Sequence, residues 1–258
     1  MNKRQLQNKL KYENNCYINK YGEGYVITEY IDDNNNVRIK FHNGYEKISK
    51  LASMKFNNKN HSPYARTIYN QGYIGEGEFN SKSIYYHYWL NMYTRCYDEE
   101  YHKIQPSYIG CFVNEELDCF QDFGYWAKWN YYEVPGEKMQ LDKDILFKNN
   151  KEYSFTTIIF VPQRINSLFT KANSIRGEYP IGITRDGNKL RVRCNILIDE
   201  KMKNIELGRF DLDEEELAFE AYKNFKEDYI KQVADEYYNL IPRELWKTMY
   251  EYEVEIDD

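Results

Sequence analysis

The stretch LDKDILFKNNKEYSFTTIIFVPQRINSLF, residues 141–169, decides how the middle of this chain folds. It holds two runs of β-forming residues, and the Asn- and Lys-rich loop between them favours a reversal of the chain. Pro162 then opens a helix, because a missing N–H costs little in the first helical turn. The stretch therefore predicts a strand, a loop, a second strand over 157–161 and a helix. Acidic and amide side chains lie at both ends of this unit, at Asp142, Asp144 and Asn166.

A second stretch, KLRVRCNI at residues 189–196, alternates strictly between polar and apolar residues. A period of two is that of a strand with one wet face and one buried face. Asp186-Gly187 predicts the turn before it, IELGRF predicts a third strand, and Asp213 with Glu216 predicts the capped start of a long helix. This module is expected to be three antiparallel strands on one helix. Five basic residues are expected on the exposed side of its sheet: Arg185, Lys189, Arg191, Arg193 and Arg209.

The upstream half shows two further patterns. The alternating runs YVITEYI and VRIKF flank the turn-forming DDNNN, and they predict a small N-terminal β-meander or barrel that continues through the turn at Asn43-Gly44. The run IYYHYWLNMYTRCY then changes to helical spacing, and EELDCFQDFGYWAKWNYYE predicts a second helix. Aromatic residues at this spacing usually belong to a core. The predicted buried stripe consists of Leu117, Phe120, Phe123, Tyr125 and Trp126.

These patterns predict a multi-module α+β chain. The N-terminal module is a small β-meander or barrel, the centre is helical and ends in the strand–strand–helix unit, and the C-terminal module is a three-stranded antiparallel sheet with a long helix. The predicted boundaries are a basic arm with the β-rich domain (1–75), a connector with the aromatic helices (76–137), the strand–strand–helix unit (138–175), and the C-terminal sheet, helix and acidic tail (176–258).

Composition excludes several classes of protein. A chain of 258 residues with 42% hydrophobic residues can bury a core. No apolar run approaches the roughly 18 residues of a membrane span, and the N-terminus lacks the apolar core of a signal peptide. The five scattered cysteines contain no CxxC pair, which argues against a zinc knuckle and a disulfide framework. We therefore expect a cytoplasmic protein with no membrane partner.

The net charge of -6 does not exclude a nucleic-acid partner, because the charge is unevenly placed. Residues 210–258 hold 16 Asp and Glu against 5 Lys and Arg, a balance of -11, which leaves +5 for residues 1–209. Local patches decide phosphate binding, whatever the total charge. The basic strand face is therefore a candidate DNA-binding surface, and a solvated, charged sheet face is the alternative.

The residue order of the C-terminal module resembles the ethylene-response-factor type of DNA-binding domain over residues 176–226. The shared features are three strands with basic residues along the middle one, then L-G-R-F-D, an acidic helix start and A-F-E-A-Y. This resemblance implies binding of double-stranded DNA, and a small twisted sheet of this kind fits the major groove. The family's strand tryptophan has no counterpart here. The matching residues are Tyr179, Gly182, Arg191, Leu207, Gly208, Phe210, Asp211, Ala218, Ala221 and Tyr222.

The stretch at 141–169 resembles the ββα unit of HNH-type (ββα-metal) endonucleases. In that family an Asp-His pair ends the first strand, the Asp binds a metal ion, the His acts as base, and a helical Asn or His completes the coordination. The resemblance places Asp142, Asp144 and Asn166 at metal-ligand positions, and such oxygen ligands suit Mg²⁺ or Mn²⁺. Lys143 stands in the place of the histidine. Because lysine, with a usual pKa of about 10.4, is a poor base at neutral pH, we expect Lys143 to hold the scissile phosphate.

Two alternatives stay open for this unit. Asp142, Asp144 and Asn166 could belong to a polar hairpin turn and a locally bonded amide. The base could also come from elsewhere in the chain, and His102 is the best placed of the four upstream histidines, His42, His61, His87 and His102. Asp142 and Lys143 remain the catalytic candidates.

The runs WLNMYTRCY, WAKWNYY and YSFTTIIFVPQRINSLF also resemble a phage-borne group of HNH-type proteins across residues 84–240. The sequence therefore predicts a DNA-binding protein of HNH-endonuclease ancestry that, if active, hydrolyses phosphodiesters with Mg²⁺ or Mn²⁺. The alternative is a catalytically inactive DNA-binding regulator, or a phage anti-defence protein that acts on a host protein partner. In the second case the acidic C-terminal segment would imitate phosphate charge.

Overall fold

A computed structural model describes most of the chain and confirms the α+β class. None of the described helices is long and apolar enough to cross a membrane. Parts of three predictions lie outside the described residues: Asp32 and Asp33 of the first turn, the start of the C-terminal module near Arg176, and the last two residues of the acidic tail. The described ranges are 3–31, 34–56, 60–170, 178–198 and 201–256.

Helices and strands are numbered here in chain order. The helices are α1 Lys3–Tyr12, α2 Leu51–Phe56, α3 Tyr86–Tyr97, α4 Glu99–Ile104, α5 Phe120–Asn130, α6 Gln163–Leu168, α7 Glu215–Glu236 and α8 Arg243–Tyr250. The strands are β1 Cys16–Ile18, β2 Gly24–Tyr30, β3 Asn36–Phe41, β4 Glu46–Lys50, β5 Phe112–Val113, β6 Met139–Asp142, β7 Glu152–Tyr153, β8 Ile159–Pro162, β9 Ile183–Asp186, β10 Lys189–Ile198 and β11 Lys201–Asp211.

By the contacts it makes, the chain divides into two compact units. Unit 1 is Met1–Trp129 with Lys151–Thr156, and unit 2 is Asn130–Asn150 with Thr157–Asp258. Each unit is built around its own sheets. The finer division into four modules stays a prediction.

The N-terminal strands of unit 1 form an antiparallel meander in the order β1-β2-β3-β4. Strands β2 and β3 alternate in burial as their sequences do, so Ile27, Ile39 and Phe41 face one apolar core. Gly44 follows β3 with φ +91°, a conformation that glycine adopts without strain, and it makes the reversal into β4 that Asn43-Gly44 predicts.

The aromatic helices of unit 1 pack as a scaffold. Trp89 of α3 and Phe120 of α5 are fully buried, and the indole N–H of Trp89 donates to the carbonyl of Leu117 at 2.7 Å. The predicted stripe is wrong at Tyr125, which is 47% exposed. Tyr125 follows the buried Gly124 and points to the opposite side of α5, which the periodicity of Phe120 and Phe123 does not cover.

The ββα unit lies near the start of unit 2 in the chain. Strands β6 and β8 pair antiparallel, with Asp142 opposite Ile159, and α6 begins directly after Pro162. The second strand thus starts two residues later than the sequence predicts. Helix α6 contacts both strands, so the expected strand, loop, strand and helix are all present.

The C-terminal module has strand order β11-β10-β9, with all pairs antiparallel. Leu190, Val192 and Cys194 of β10 are buried, and they pack with Ala218 and Tyr222 of α7. The opposite face of the sheet is left to solvent. The strict alternation of residues 189–196 therefore gives a strand with one face buried against α7, as the sequence predicts.

The start of α7 differs from the prediction. The helix begins at Glu215, its capping position is Glu214, and no side chain caps it. Glu214 instead accepts the backbone N–H of Asp211 at 2.8 Å, which ties the helix start back to the end of β11. The expected capping box of Asp213 and Glu216 is therefore wrong, because Glu214 reaches the strand end and shifts the helix start by one residue.

Gly182 tests the packing of the sheet on α7. Its φ is +79°, and a Cβ there would lie 2.2 Å from the Tyr222 ring and 2.8 Å from the carbonyl oxygen of Arg193. We expect Gly182→Ala to lower the free energy of unfolding by about 2 kcal/mol or more, measured by urea denaturation.

The matched control for Gly182 is Gly187→Ala. Gly187 also has a positive φ, +63°, but a Cβ there meets nothing within 4 Å. We expect this variant to lose only the backbone strain of about 1 kcal/mol. Equal losses in the two variants would contradict the close approach at Tyr222.

Candidate nucleic-acid interface and ββα site

Asp142 ends β6 and holds the turn that follows it. One carboxylate oxygen accepts the backbone N–H of Asp144 at 2.9 Å and that of Ile145 at 2.7 Å. A carboxylate that accepts two adjacent amides fixes a local turn. One of the two oxygens of the Asp142 carboxylate is therefore already engaged by the backbone.

Lys143 lies inside the protein and is only 5% exposed. Its ammonium is 3.1 Å from a carboxylate oxygen of Asp144 and donates to the carbonyl of Asn150 at 2.7 Å. The Asn150 amide in turn donates to the carbonyl of Lys143 at 2.7 Å. These hydrogen bonds join the two ends of the loop 143–150. The expectation that Lys143 holds a phosphate does not fit this placement, because a phosphate ligand needs an amine that reaches solvent.

Asn166 lies on α6 and turns toward β6, where its amide N–H₂ donates to the side-chain oxygen of Gln140. Gln140 and Asp142 are two residues apart on one strand, so they share a face of β6. The fold thus brings Asn166 to the face that carries Asp142, as the ββα resemblance implies. The amide is held by a side-chain partner from that strand.

The donor set does not fit a resident metal ion well. Asp142 is engaged by two amides, and Asp144 has the Lys143 ammonium as its cation. Among the described residues, no group of three or more His, Cys, Asp or Glu side chains is arranged to hold a metal ion. As placed, these side chains therefore do not form a ready site for Mg²⁺ or Mn²⁺.

The electrostatics of Asp142 are nevertheless unusual. Burial, and secondarily the neighbouring charge of Asp144, raises the pKa of Asp142 to about 6. Two carboxyl groups this close repel each other when both are ionised, so one of them retains its proton to a higher pH. A cation bound beside the two carboxyl groups would relieve this repulsion.

The histidines give no nearby base within unit 2. All four, His42, His61, His87 and His102, belong to unit 1. One ring nitrogen of His102 lies 2.8 Å from the carbonyl oxygen of Arg95, so its imidazole is already engaged locally. A base supplied by His102 stays a prediction.

The exposed face of the C-terminal sheet carries four of the five predicted cations. Lys189, Arg191 and Arg193 follow one another at every second position of β10. Arg209 of β11 lies directly opposite Arg191, and residues that pair directly share a face of the sheet. The register therefore gathers these four side chains onto one surface, called here the cationic face.

Arg185 departs from this expectation. It pairs with Leu190, so it belongs to the side of the sheet that faces α7, whereas Thr184 pairs with Arg191. Arg185 escapes burial because it lies at the strand end, and its guanidinium donates to the carbonyl of Gly187 at 3.1 Å. Arg185 is exposed, as expected, but it does not share the face of the other four cations, because pairing of Asp186 with Lys189 puts Arg185 opposite Leu190.

Acidic side chains share the cationic face. Glu206 lies 2.9 Å from Arg191 and 3.0 Å from Arg209, and Asp186 lies 3.4 Å and 3.3 Å from the same two guanidinium groups. Asp211 lies 2.7 Å from Lys189. The cationic face therefore carries four cations and three carboxylates. The sequence patterns indicated the cations but not their acidic partners. Only the register of the paired strands brings these carboxylates beside the cations.

These ion pairs are exchangeable. Arg191, Arg209, Glu206 and Asp186 are all partly exposed, and exposed ion pairs contribute little net stability because solvent screens them. Arg193 has no ion pair with any described residue. An incoming phosphate can therefore meet Arg193 directly and can replace the carboxylates at its neighbours.

Comparisons with known proteins add no relative: no protein-family model, no curated protein and no solved structure matches the chain. The resemblances to HNH-type endonucleases and to ethylene-response-factor-type domains therefore rest on the residues named above. The surfaces and contacts of the chain itself are therefore the basis for a proposed function.

Lys143→Met tests whether this lysine is structural. The substitution keeps most of the side-chain volume but removes the contacts to Asp144 and Asn150, so we expect the free energy of unfolding to fall by about 1–2 kcal/mol. The control is Lys103→Met, whose exposed partner is Glu100, and its effect should stay within about 0.5 kcal/mol. Equal stability of the two variants in urea denaturation would contradict the structural role.

Asp142→Asn tests the repulsion between the two carboxyl groups. The folded-state pKa is raised, so the favourable contribution of Asp142 is present at low pH and is lost as the pH rises through about 6. Asparagine keeps the oxygen that accepts the two amides but carries no charge. We expect its Tm to exceed that of the parent by about 2–4 °C at pH 7.5, and the difference to vanish toward pH 4. A difference independent of pH would contradict the raised pKa.

Proposed function

We propose that the chain is a double-stranded DNA-binding protein that docks the cationic face of its C-terminal sheet in a groove. The observation that carries the proposal is the placement of Lys189, Arg191 and Arg193 on one face while the other face of β10 is packed on α7. A small sheet held rigid by a helix presents its side chains in fixed positions. Arginine can then meet base edges in a bidentate way, and lysine can neutralise phosphate.

The carboxylates of the face fit this role. Asp186 and Glu206 hold Arg191 and Arg209 in position before DNA arrives, which lowers the side-chain entropy lost on binding. They also remove most of the net charge of the face. Non-specific attraction is therefore expected to be modest, and binding should depend on a sequence whose base edges replace the carboxylates as partners.

The ββα unit has a scaffold role in this proposal. Asp142 holds a turn, Lys143 closes a loop, and Asn166 fastens α6 to β6. Each of these three residues thus has a local bonding partner. We infer HNH-endonuclease ancestry for the unit, with DNA binding retained and cleavage absent, in a cytoplasmic and phage-encoded regulator.

Metal-dependent cleavage is a second candidate, and one observation favours it. The pKa of Asp142 is raised to about 6 beside Asp144, and a divalent cation would relieve the repulsion between two ionised carboxylates. In this case Asp142, Asp144 and Asn166 would turn toward Mg²⁺ or Mn²⁺, and Lys143 would have to leave its buried position.

DNA binding is tested with Arg191→Ala/Arg193→Ala. We expect its affinity for duplex DNA to fall by about tenfold or more, and the slope of log K against log salt to decrease by about 2, because two phosphate or base contacts are lost. The control is Lys231→Ala/Lys247→Ala, which removes two positive charges from α7 and α8 and should leave the slope unchanged. Equal loss in both double variants would show that net charge alone drives the association.

Cleavage is tested with supercoiled plasmid and Mg²⁺ or Mn²⁺. We expect the protein to retard the DNA without nicking it. Nicking that disappears in Asp142→Ala would contradict the scaffold role and support the second candidate. Nicking that persists in Asp142→Ala would point to a contaminating nuclease.

A further inference from the structure

A cavity of about 770 Å³ lies in unit 2, beside the C-terminal sheet. Its walls come from the end of α6, the segment before β9, the middle of β10, helix α7 and the chain after α8. Among the described residues that line it are Tyr179, Arg185, Cys194, Tyr222, Lys226 and Tyr252.

The cavity exists because β9 is shorter than its neighbour. Strand β9 pairs with β10 only as far as Val192, and the backbone N–H of Arg193 makes one further bond to Gly182 at 2.8 Å. Farther along, the hydroxyl of Tyr229 accepts the N–H of Leu197 at 2.9 Å. Between these two contacts no strand of the described residues covers the edge of β10, and the cavity lies beside this uncovered edge.

Lys226 is the chemically distinctive group in this cavity. It is half-buried on α7 and forms no hydrogen bond or ion pair with any described residue. The residues one turn away on the helix are Tyr222, Lys223, Tyr229 and Ile230, so none of them is acidic. The neighbouring Glu227 is engaged by Lys223 at 3.3 Å and by the N–H of Val254 at 2.8 Å.

Several other cations of unit 2 contrast with Lys226. Each of these has a carboxylate oxygen within 4 Å, in a part of the chain where 16 acidic residues lie among the last 49. The absence of a partner for Lys226 among the described residues is therefore not explained by a shortage of acids. The paired cations include Lys148, Arg164, Lys189, Arg191, Arg209 and Lys223.

A half-buried ammonium without a counter-ion is unfavourable. Burial lowers the pKa of Lys226, and the nearby Cys194 opposes this effect only secondarily. Burial also raises the pKa of the Cys194 thiol, so the thiol stays neutral at physiological pH and supplies no counter-charge. The cost of desolvating Lys226 is thus left for a ligand to offset.

We propose that this cavity binds a small organic anion, a phosphate or carboxylate on a flat, partly apolar body. Lys226 pairs with the anionic group, and Arg185 supplies a second cation at the wall. The rings of Tyr179, Tyr222 and Tyr252 pack against the body. Among the described residues that line the cavity, one is acidic, Glu178, and three are basic, so their charge favours an anion.

The test uses pyridoxal 5′-phosphate as the probe, because it joins a phosphate to a flat ring and an aldehyde. In this complex Arg185 holds the phosphate of the probe, and the uncharged fraction of the Lys226 amine adds to the aldehyde and releases water. Borohydride then reduces the imine to a stable secondary amine. At pH 7.5 we expect Lys226 to be labelled at least about fivefold faster than Lys231 of the same helix, as followed by peptide mass spectrometry. Added inorganic phosphate should slow labelling at Lys226 and leave Lys231 unaffected.

Two further arms complete the test. Pyridoxal, which lacks the phosphate, should label Lys226 no faster than Lys231. Lys226→Met should lose the fast adduct and should be at least as thermally stable as the parent, because methionine removes the unpaired charge, while Lys231→Met should keep the fast adduct at Lys226. The proposal is overturned if the labelling rates of Lys226 and Lys231 merely follow their exposure. It is also overturned if phosphate does not slow labelling at Lys226, or if pyridoxal labels Lys226 as fast as pyridoxal 5′-phosphate does.

Discussion

The packing of β10 on α7 is the interaction on which the rest of unit 2 depends. Leu190, Val192 and Cys194 are buried against Ala218 and Tyr222, and burial of these side chains contributes several kcal/mol. Because side chains alternate along a strand, fixing one face inward fixes Lys189, Arg191 and Arg193 outward. The same packing leaves Lys226, on the helix, beside the open edge of the strand. Both proposed binding surfaces therefore follow from one apolar contact.

Local patterns in the sequence predicted the elements better than the partners. The alternation of residues 189–196 and the β-type runs around 141–161 predict strands that the structure has, since burial on one face imposes a period of two. The sequence could not predict that Arg185 shares the side of Leu190, or that Glu206 lies beside Arg191. Those outcomes depend on hairpin register and on a bulge after Val192, which no single strand encodes.

The same limit applies to the candidate catalytic residues. Sequence spacing put Asp142 and Asn166 on the positions of a ββα unit, and the structure brings Asn166 to the face of β6 that carries Asp142. The burial of Lys143 was not visible in the sequence, because it depends on the Asn150 carbonyl seven residues away. Three cations of unit 2 thus differ by environment. Lys143 is bound within a loop, Arg191 is partly exposed in exchangeable pairs, and Lys226 is half-buried with no partner among the residues that the structure describes.

The central claim is that DNA contacts the cationic face and that the ββα unit serves as scaffold. Amide hydrogen exchange, with and without a saturating duplex, tests it most directly because it reports protection along the whole backbone. The account predicts slower exchange in β9 and in the Lys189–Arg193 part of β10 with its partners in β11, and no change over β6, the loop 143–150 and α6. Protection confined to β6, that loop and α6 would contradict it.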